Sequence, residues 1–160
     1  ILGIVLAVGY GKITVMQEGS MDPTLNAGDV LLVDRMAYRF STPKRGDIIV
    51  YKTGDDKKAS THIKRIIGLP GETVQIVDGY IYINGKQLDE HYGNEIIEEA
   101  GMAAEPVTLG EDEDFVMGDN RNDSMDSRDP SVGVLHKSEL VGRAWVRIWP
   151  LSKFGILRHQ

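Results

Sequence analysis

The sequence predicts a mainly β fold, with antiparallel β-sheets in a barrel-like or two-sheet catalytic core and a small inserted lobe. Three observations carry this. Short runs rich in Val, Ile, Thr and Tyr recur along the chain. Gly-containing turn signals separate them, and two, Asp78-Gly79 and Asn84-Gly85, have the form of two-residue hairpin loops. Helical periodicity is scarce.

Residues 1–10 are apolar and uncharged, and ten residues are too few to span a bilayer, which takes about 20. They are either a first strand or the end of a truncated N-terminal membrane anchor. Ile13 to Gln17 has strand composition, and Asn26-Ala27-Gly28-Asp29 is a turn. Val30 to Asp34 is a continuous apolar run that predicts a buried strand, and Ile48 to Tyr51 another. Residues 53–58 form a charged tip. Ile63 to Ile67 is a short strand stopped by Gly68-Leu69-Pro70-Gly71. Thr73 to Val77 and Tyr80 to Ile83 flank the first hairpin turn. Residues 89–110 lose periodicity and are acidic, which predicts an exposed insertion with a short helix near 94–100. Phe115 to Met117 re-enters the core, and Arg143 to Trp149 alternates Arg with bulky apolar residues as a half-buried strand does. The core is thus 11–88 together with 111–153.

At 160 residues the chain is long enough for one domain with a sizeable core. A net charge of −6 with no basic stripe argues against a nucleic-acid partner. The absence of cysteine excludes disulfides, thiol catalysis and Cys-based zinc sites. His62, His91, His136 and His159 show no metal-ligand spacing, so no metal and no cofactor are expected. Residues 119–130 resemble an acidic calcium loop but carry Ser124 where Gly is needed and Pro130 where the bidentate Glu is needed. Ser41-Thr42-Pro43-Lys44 fits a Ser-x-x-Lys pattern, but that pattern works on a helix, where Pro43 does not belong.

Three stretches carry the chemistry. Gly19-Ser20-Met21-Asp22-Pro23-Thr24-Leu25 sets a hydroxyl on a short loop. A serine hydroxyl is a weak nucleophile until a base takes its proton. His62 to Gly71 holds Lys64 within an apolar run. A lysine acts as a base when neutral, and burial favours the neutral form. Strand alternation puts Lys64 with His62 and Ile66 on one face, and Ile63 with Arg65 on the other. The third stretch, Gly118 to Arg128, is polar yet bounded by apolar segments.

With Gly46-Asp47-Ile48-Ile49-Val50-Tyr51 between them, these stretches resemble, in order, the type I signal peptidases, membrane-bound Ser/Lys proteases. The resemblance covers roughly residues 15 to 150. It implies Ser20 as nucleophile, Lys64 as general base and an acyl-enzyme on Ser20. It implies that Ser124 hydrogen-bonds the lysine, that Asp119 pairs with Arg65, and that Asp126 and Arg128 form a structural ion pair. By position Met21, Leu25, His62 and Ile63 border the substrate pocket. The implied partners are the signal peptides of secreted preproteins, cut after Ala-x-Ala-type sites, and membrane lipid. The implied place is the cell membrane, with the catalytic domain on the extracytoplasmic side. Trp145, Trp149 and Phe154 are candidates for a lipid interface.

Two positions depart from the family pattern. Glu18 stands where some members have a serine that donates to the oxyanion, and an ionised carboxylate cannot donate. His62 stands where many have Tyr. Two other readings fit fewer residues. A self-cleaving repressor-type Ser/Lys peptidase would cut at Ala-Gly, which occurs at Ala27-Gly28 and Ala100-Gly101, but no helix-turn-helix precedes the site. A catalytically dead β binding module would explain Glu18 but not the pairing of Ser20 with Lys64.

Overall fold

The computed structural model describes residues 11–53, 60–93 and 95–157. The expected anchor end or first strand at 1–10 and most of the charged tip lie outside them. The strands are β1 (Gly11–Val15), β2 (Val30–Asp34), β3 (Ile48–Thr53), β4 (Ser60–Gly68), β5 (Thr73–Val77), β6 (Tyr80–Ile83), β7 (Lys86–Gln87), β8 (Val107–Thr108), β9 (Glu113–Met117), β10 (Leu135–His136), β11 (Leu140–Trp149) and β12 (Gly155–Ile156). A single short α-helix, α1 (Ala37–Phe40), is found among the described residues, beside three 3-10 turns.

The protein is mainly β, as its turn-punctuated runs predict. One sheet runs β1-β2-β11-β3-β4-β9-β10, with β12 beside β11, and the other runs β7-β6-β5-β8. The pairings are antiparallel throughout, and β11 lies between β2 and β3 while β9 pairs with β4, so strands distant in the sequence meet in the larger sheet. The two-sheet form is the one realised. Among the described residues the larger sheet is an open path from β1 to β10, so no barrel closes.

The hairpin signals act as expected. Asp78 and Gly79, then Asn84 and Gly85, all have positive φ, from 51° to 83°, as the primed turns matching strand twist require. The resulting β5–β6 hairpin sends Val74, Ile76, Ile81 and Ile83 onto Ile67, Phe115 and Met117.

β3 is buried on both faces. Ile48 and Val50 join Met16, Leu31 and Val33, while Ile49 and Tyr51 join Ile66, Val116 and Leu135. Burying each such side chain contributes about 1.5–3 kcal/mol, so β3 and its partner β4 form a rigid centre. That rigidity matters because β4 carries Lys64.

The segment 89–110 is less exposed than its polarity suggests. Ile97, Ala103 and Leu109 are buried against the second sheet. Residues 95–100 are not helical, and a 3-10 turn forms instead at Gly101–Ala104. A few isolated apolar anchors fix the segment without producing a periodic pattern that sequence reading detects.

One core group works against stability. Asp114 on β9 is 3% exposed, and its Oδ1 has no hydrogen-bond partner among the described residues. Burial, then the charge of Asp112, pushes its carboxyl up to about 6. A raised carboxyl stabilises the fold while protonated, below about pH 4, and that contribution is lost as pH rises through about 6. Asp114→Asn is therefore expected to stabilise the protein at neutral pH by about 2–3 kcal/mol, raising Tm by roughly 4–10 °C. Melts of both proteins at neutral and strongly acidic pH check this. The gap should close in acid, and a constant gap would refute the argument.

Candidate active site

The nucleophile loop follows β1 and is pinned from within. Met21 and Leu25 are fully buried, and Met16 exchanges backbone hydrogen bonds with Gly28 and Asp29 at 2.8 Å each. The Arg147 guanidinium of β11 donates to the Thr24 carbonyl at 2.9 Å and to Asp29 Oδ2 at 3.0 Å. Asp22-Pro23 is a cis peptide within this loop.

The polar third stretch grips the same loop. Asn120 donates from its backbone N–H to the Ser20 carbonyl at 3.0 Å and from its side chain to the Gly19 carbonyl at 2.9 Å. Thr24 Oγ1 donates to Asp119 Oδ2 at 2.6 Å. Gly118 lies where a Cβ would collide with the Ser20 carbonyl oxygen and the Ser124 hydroxyl, so this close approach requires glycine.

Pairing with β3 places Lys64 opposite Ile49, on the face shared with Ile66. Lys64 is 1% exposed and Ser20 5%. Lys64 Nζ donates to Ser20 Oγ at 2.7 Å. Both also reach Glu18 Oε1, Ser20 Oγ donating at 3.0 Å and Lys64 Nζ at 3.1 Å. Partial burial raises the Glu18 carboxyl, but the Lys64 ammonium and the Ser20 hydroxyl outweigh it and hold the group below the usual carboxylate range.

On the opposite face of β4, Arg65 is also buried, so both faces of the strand are covered. Its guanidinium donates to Asp119 through Nε at 2.9 Å and Nη2 at 2.7 Å, and to the Gly46 carbonyl at 2.8 Å. The Tyr92 ring stacks on it at 3.8 Å. Asp126 accepts two bonds from the Arg128 guanidinium, at 2.8 and 2.9 Å, and one from the Gly118 N–H at 3.0 Å. The Ser124 hydroxyl donates to Asp126 Oδ2 at 2.9 Å, rather than meeting Lys64 as the resemblance implies.

The expected pocket residues divide. His62 and Ile63 line a groove of about 410 Å³ between β1 and β4 that runs towards Glu18. Met21 and Leu25 are closed into the core with Ile63, Leu31 and Val33, so neither presents surface to that groove. The His62 ring stacks on Tyr51 at 5.3 Å, and its Nε2 lies 3.3 Å from Thr53 Oγ1. Burial, then the Lys64 charge, holds its imidazole below the usual range.

Sequence reading assigned no role to five supporting residues. Thr24 and Asn120 lay inside the quoted stretches and could have been found as polar residues flanking the nucleophile. Arg121 is 3% exposed, donates to the Gly118 carbonyl at 2.9 Å and pairs bidentately with Glu90. Tyr92 and Glu90 come from the 89–110 segment, where no local pattern marks them.

A buried serine hydroxyl against a lysine amine, on a loop braced by a polar turn, is the arrangement of a serine peptidase. The chain matches the family described as Signal peptidase, peptidase S26, over residues 1–149. It is 38% identical over 165 aligned positions to the probable signal peptidase I-2 of Synechocystis sp., covering 98% of this chain and 73% of that protein. It is 40% identical over 146 positions to the signal peptidase I of Bacillus licheniformis, covering 87% and 77%. The crystal structure of a signal peptidase I from Enterococcus faecalis V583 superposes with a TM-score of 0.52 at 33% identity, covering 64% of this chain and 97% of that one. The chain belongs to the signal peptidase family, peptidase S26, and is a serine endopeptidase that removes signal peptides.

Proposed function

We propose that Ser20 is the nucleophile and Lys64 the general base of this peptidase. The observation that carries the reading is the 2.7 Å contact between two side chains both buried to 5% exposure or less. Neutral Lys64 takes the Ser20 proton as Oγ attacks the scissile carbonyl carbon. The Ser20 backbone N–H stabilises the oxyanion, because donors fixed where charge develops lower the barrier most. Lys64 then gives its proton to the leaving amine. In the second half-reaction it activates the water that hydrolyses the acyl-enzyme. Ser124, Asp119, Arg65, Asp126 and Arg128 position the loops and touch no reacting atom.

The substrate lies extended in the groove between β1 and β4. β4 pairs with β9 only from Arg65 onwards, so Thr61 to Lys64 presents one edge, while β1 has β2 as its one strand partner among the described residues. An extended peptide can hydrogen-bond to such edges. The family resemblance implies Ala at the first and third positions before the cut, an Ala-x-Ala site at which larger side chains are excluded by overlap.

The protein works at the outer surface of a membrane. Cross-strand register aligns Val15, Val30 and Trp149, and also Ile13, Leu32, Val146 and Ile156. Ile13, Val15, Trp149 and Ile156 are exposed, as are nearby Leu151 and Phe154. This contiguous apolar face suits a lipid interface. No helix among the described residues is long and apolar enough to cross a membrane.

The test is a preprotein reporter with an Ala-x-Ala site in detergent micelles. Wild type should cut after the second Ala, and Leu at that position should slow cutting about 10- to 100-fold through overlap. Equal cleavage of both reporters would refute the proposed specificity.

A further inference from the structure

We propose that Glu18 is a positioning residue for the reaction: its carboxylate holds Ser20 and Lys64 in an unreactive arrangement that the incoming peptide must displace. The inference rests on the Ser20/Lys64 reading above. A single oxygen, Glu18 Oε1, accepts from both the Ser20 hydroxyl and the Lys64 amine. The Ser20 proton therefore lies towards the carboxylate. Lys64 Nζ is itself a donor to Ser20 Oγ. A lysine donating to the serine cannot at the same time receive that serine's proton. Glu18 is a poor acceptor in its place, because the contacts that stabilise its ionised form weaken it as a base.

Burial makes the arrangement reversible. The Ser20 and Lys64 side chains are fixed in the interior, whereas the Glu18 side chain is 57% exposed and free to swing. Glu18 also lines two grooves, and Ser20 lines the second of them. One runs between β1 and β4, and the other passes Ser20 towards Ser124 and Met125. A peptide crossing Ser20 from one to the other passes over Glu18. Its apolar side chains strip water from the carboxylate, which leaves for solvent because a desolvated charge is costly. The ammonium then releases one proton to solvent, and the amine lone pair turns to the Ser20 hydroxyl.

Other charged groups face this point. His62 lies on β4, Lys12 on β1, and Asp123 and Asp129 across the second groove. Among the described residues Lys64 is the one ion-pair partner of Glu18. His62 titrates below its usual range, so Glu18 supplies the nearest charge that neutral-pH experiments can remove.

The experiment measures kcat/KM for the reporter against pH with Glu18→Gln and Glu18→Ala, alongside Lys64→Ala. Both Glu18 variants should extend activity to lower pH, raising acid-limb kcat/KM roughly three- to tenfold while the plateau stays within about twofold. Added salt should raise acid-limb activity in wild type and leave the variants unmoved, since a half-exposed pair is screened. Superimposable profiles, or loss of activity by Glu18→Gln at every pH with unchanged Tm, would overturn the proposal. Where Lys64→Ala is inactive and the Glu18 profiles are unaltered, the holding role alone fails. Where Lys64→Ala still cleaves, the Ser20/Lys64 reading fails and this role with it.

Discussion

Lys64→Met and Ser20→Ala are each expected to lower kcat/KM for a signal-peptide reporter by at least about 10³-fold, with the fold retained. Losing either half of the pair removes the same step, so the double variant should be scarcely worse than either single one. Met is chosen at position 64 because it fills the space of the lysine stem without its amine. The site is 1% exposed and packed against Ile49 and Ile66, so an apolar chain of similar length fits there. Removing a buried charge whose one ion-pair partner among the described residues is the half-exposed Glu18 should leave Tm unchanged or raise it. Lys64→Arg separates two explanations. If Lys64 served only as a positive charge, arginine would keep most of the activity. If it is the base, arginine is as inactive as methionine, because a guanidinium does not deprotonate. Appreciable activity in Lys64→Arg would refute the assignment.

The strands were legible because each buries a face, and a face leaves a period in the sequence. The Asp78-Gly79 and Asn84-Gly85 turns were legible because only certain residues take positive φ cheaply. β8, β10 and β12, of two residues each, carry too few positions for any period to show. In the site, Ser20 and Lys64 stood out through the four stretches in order: alone, a Ser beside a Gly reads as a turn and a Lys in an apolar run as a surface chain with its stem along apolar surface. The pairing of Arg65 with Asp119 followed from resemblance, but the burial of both faces of β4 did not. Alternation tells which residues share a face and is silent on what covers it. Ser124 shows the same limit. Its place beside the nucleophile loop came from its position in the third stretch. Its choice of Asp126 over Lys64 depends on the Gly118 approach, which no spacing encodes. Glu18 was visible as a departure, yet its contact with both halves of the pair needed coordinates.

Asp119→Ala is expected to cost about 3–5 kcal/mol of stability and to lower Tm by roughly 6–20 °C. The Arg65 and Asp119 side chains are 1% and 0% exposed, and Ala leaves a buried guanidinium with the Gly46 carbonyl and the Tyr92 ring but no counter-charge. Desolvation of that charge, rather than the lost attraction, dominates the penalty. Replacing both partners by apolar residues, Arg65→Met with Asp119→Leu, should therefore recover most of the stability, and the double-mutant cycle should show strong coupling. Activity should not recover with it. Asp119 Oδ2 also accepts from Thr24 Oγ1 at 2.6 Å, which ties the nucleophile loop to the turn that carries Asn120. An apolar pair restores the core but not that tie, so the loop holding Ser20 loses one of its two anchors on the third stretch. A misplacement near 1 Å costs about 100-fold in rate. Comparing Tm with kcat/KM across the four proteins separates the two roles. If stability and rate recover together in the double variant, the ion pair serves the fold alone; if stability returns without rate, the pair on the far face of β4 sets where Ser20 stands.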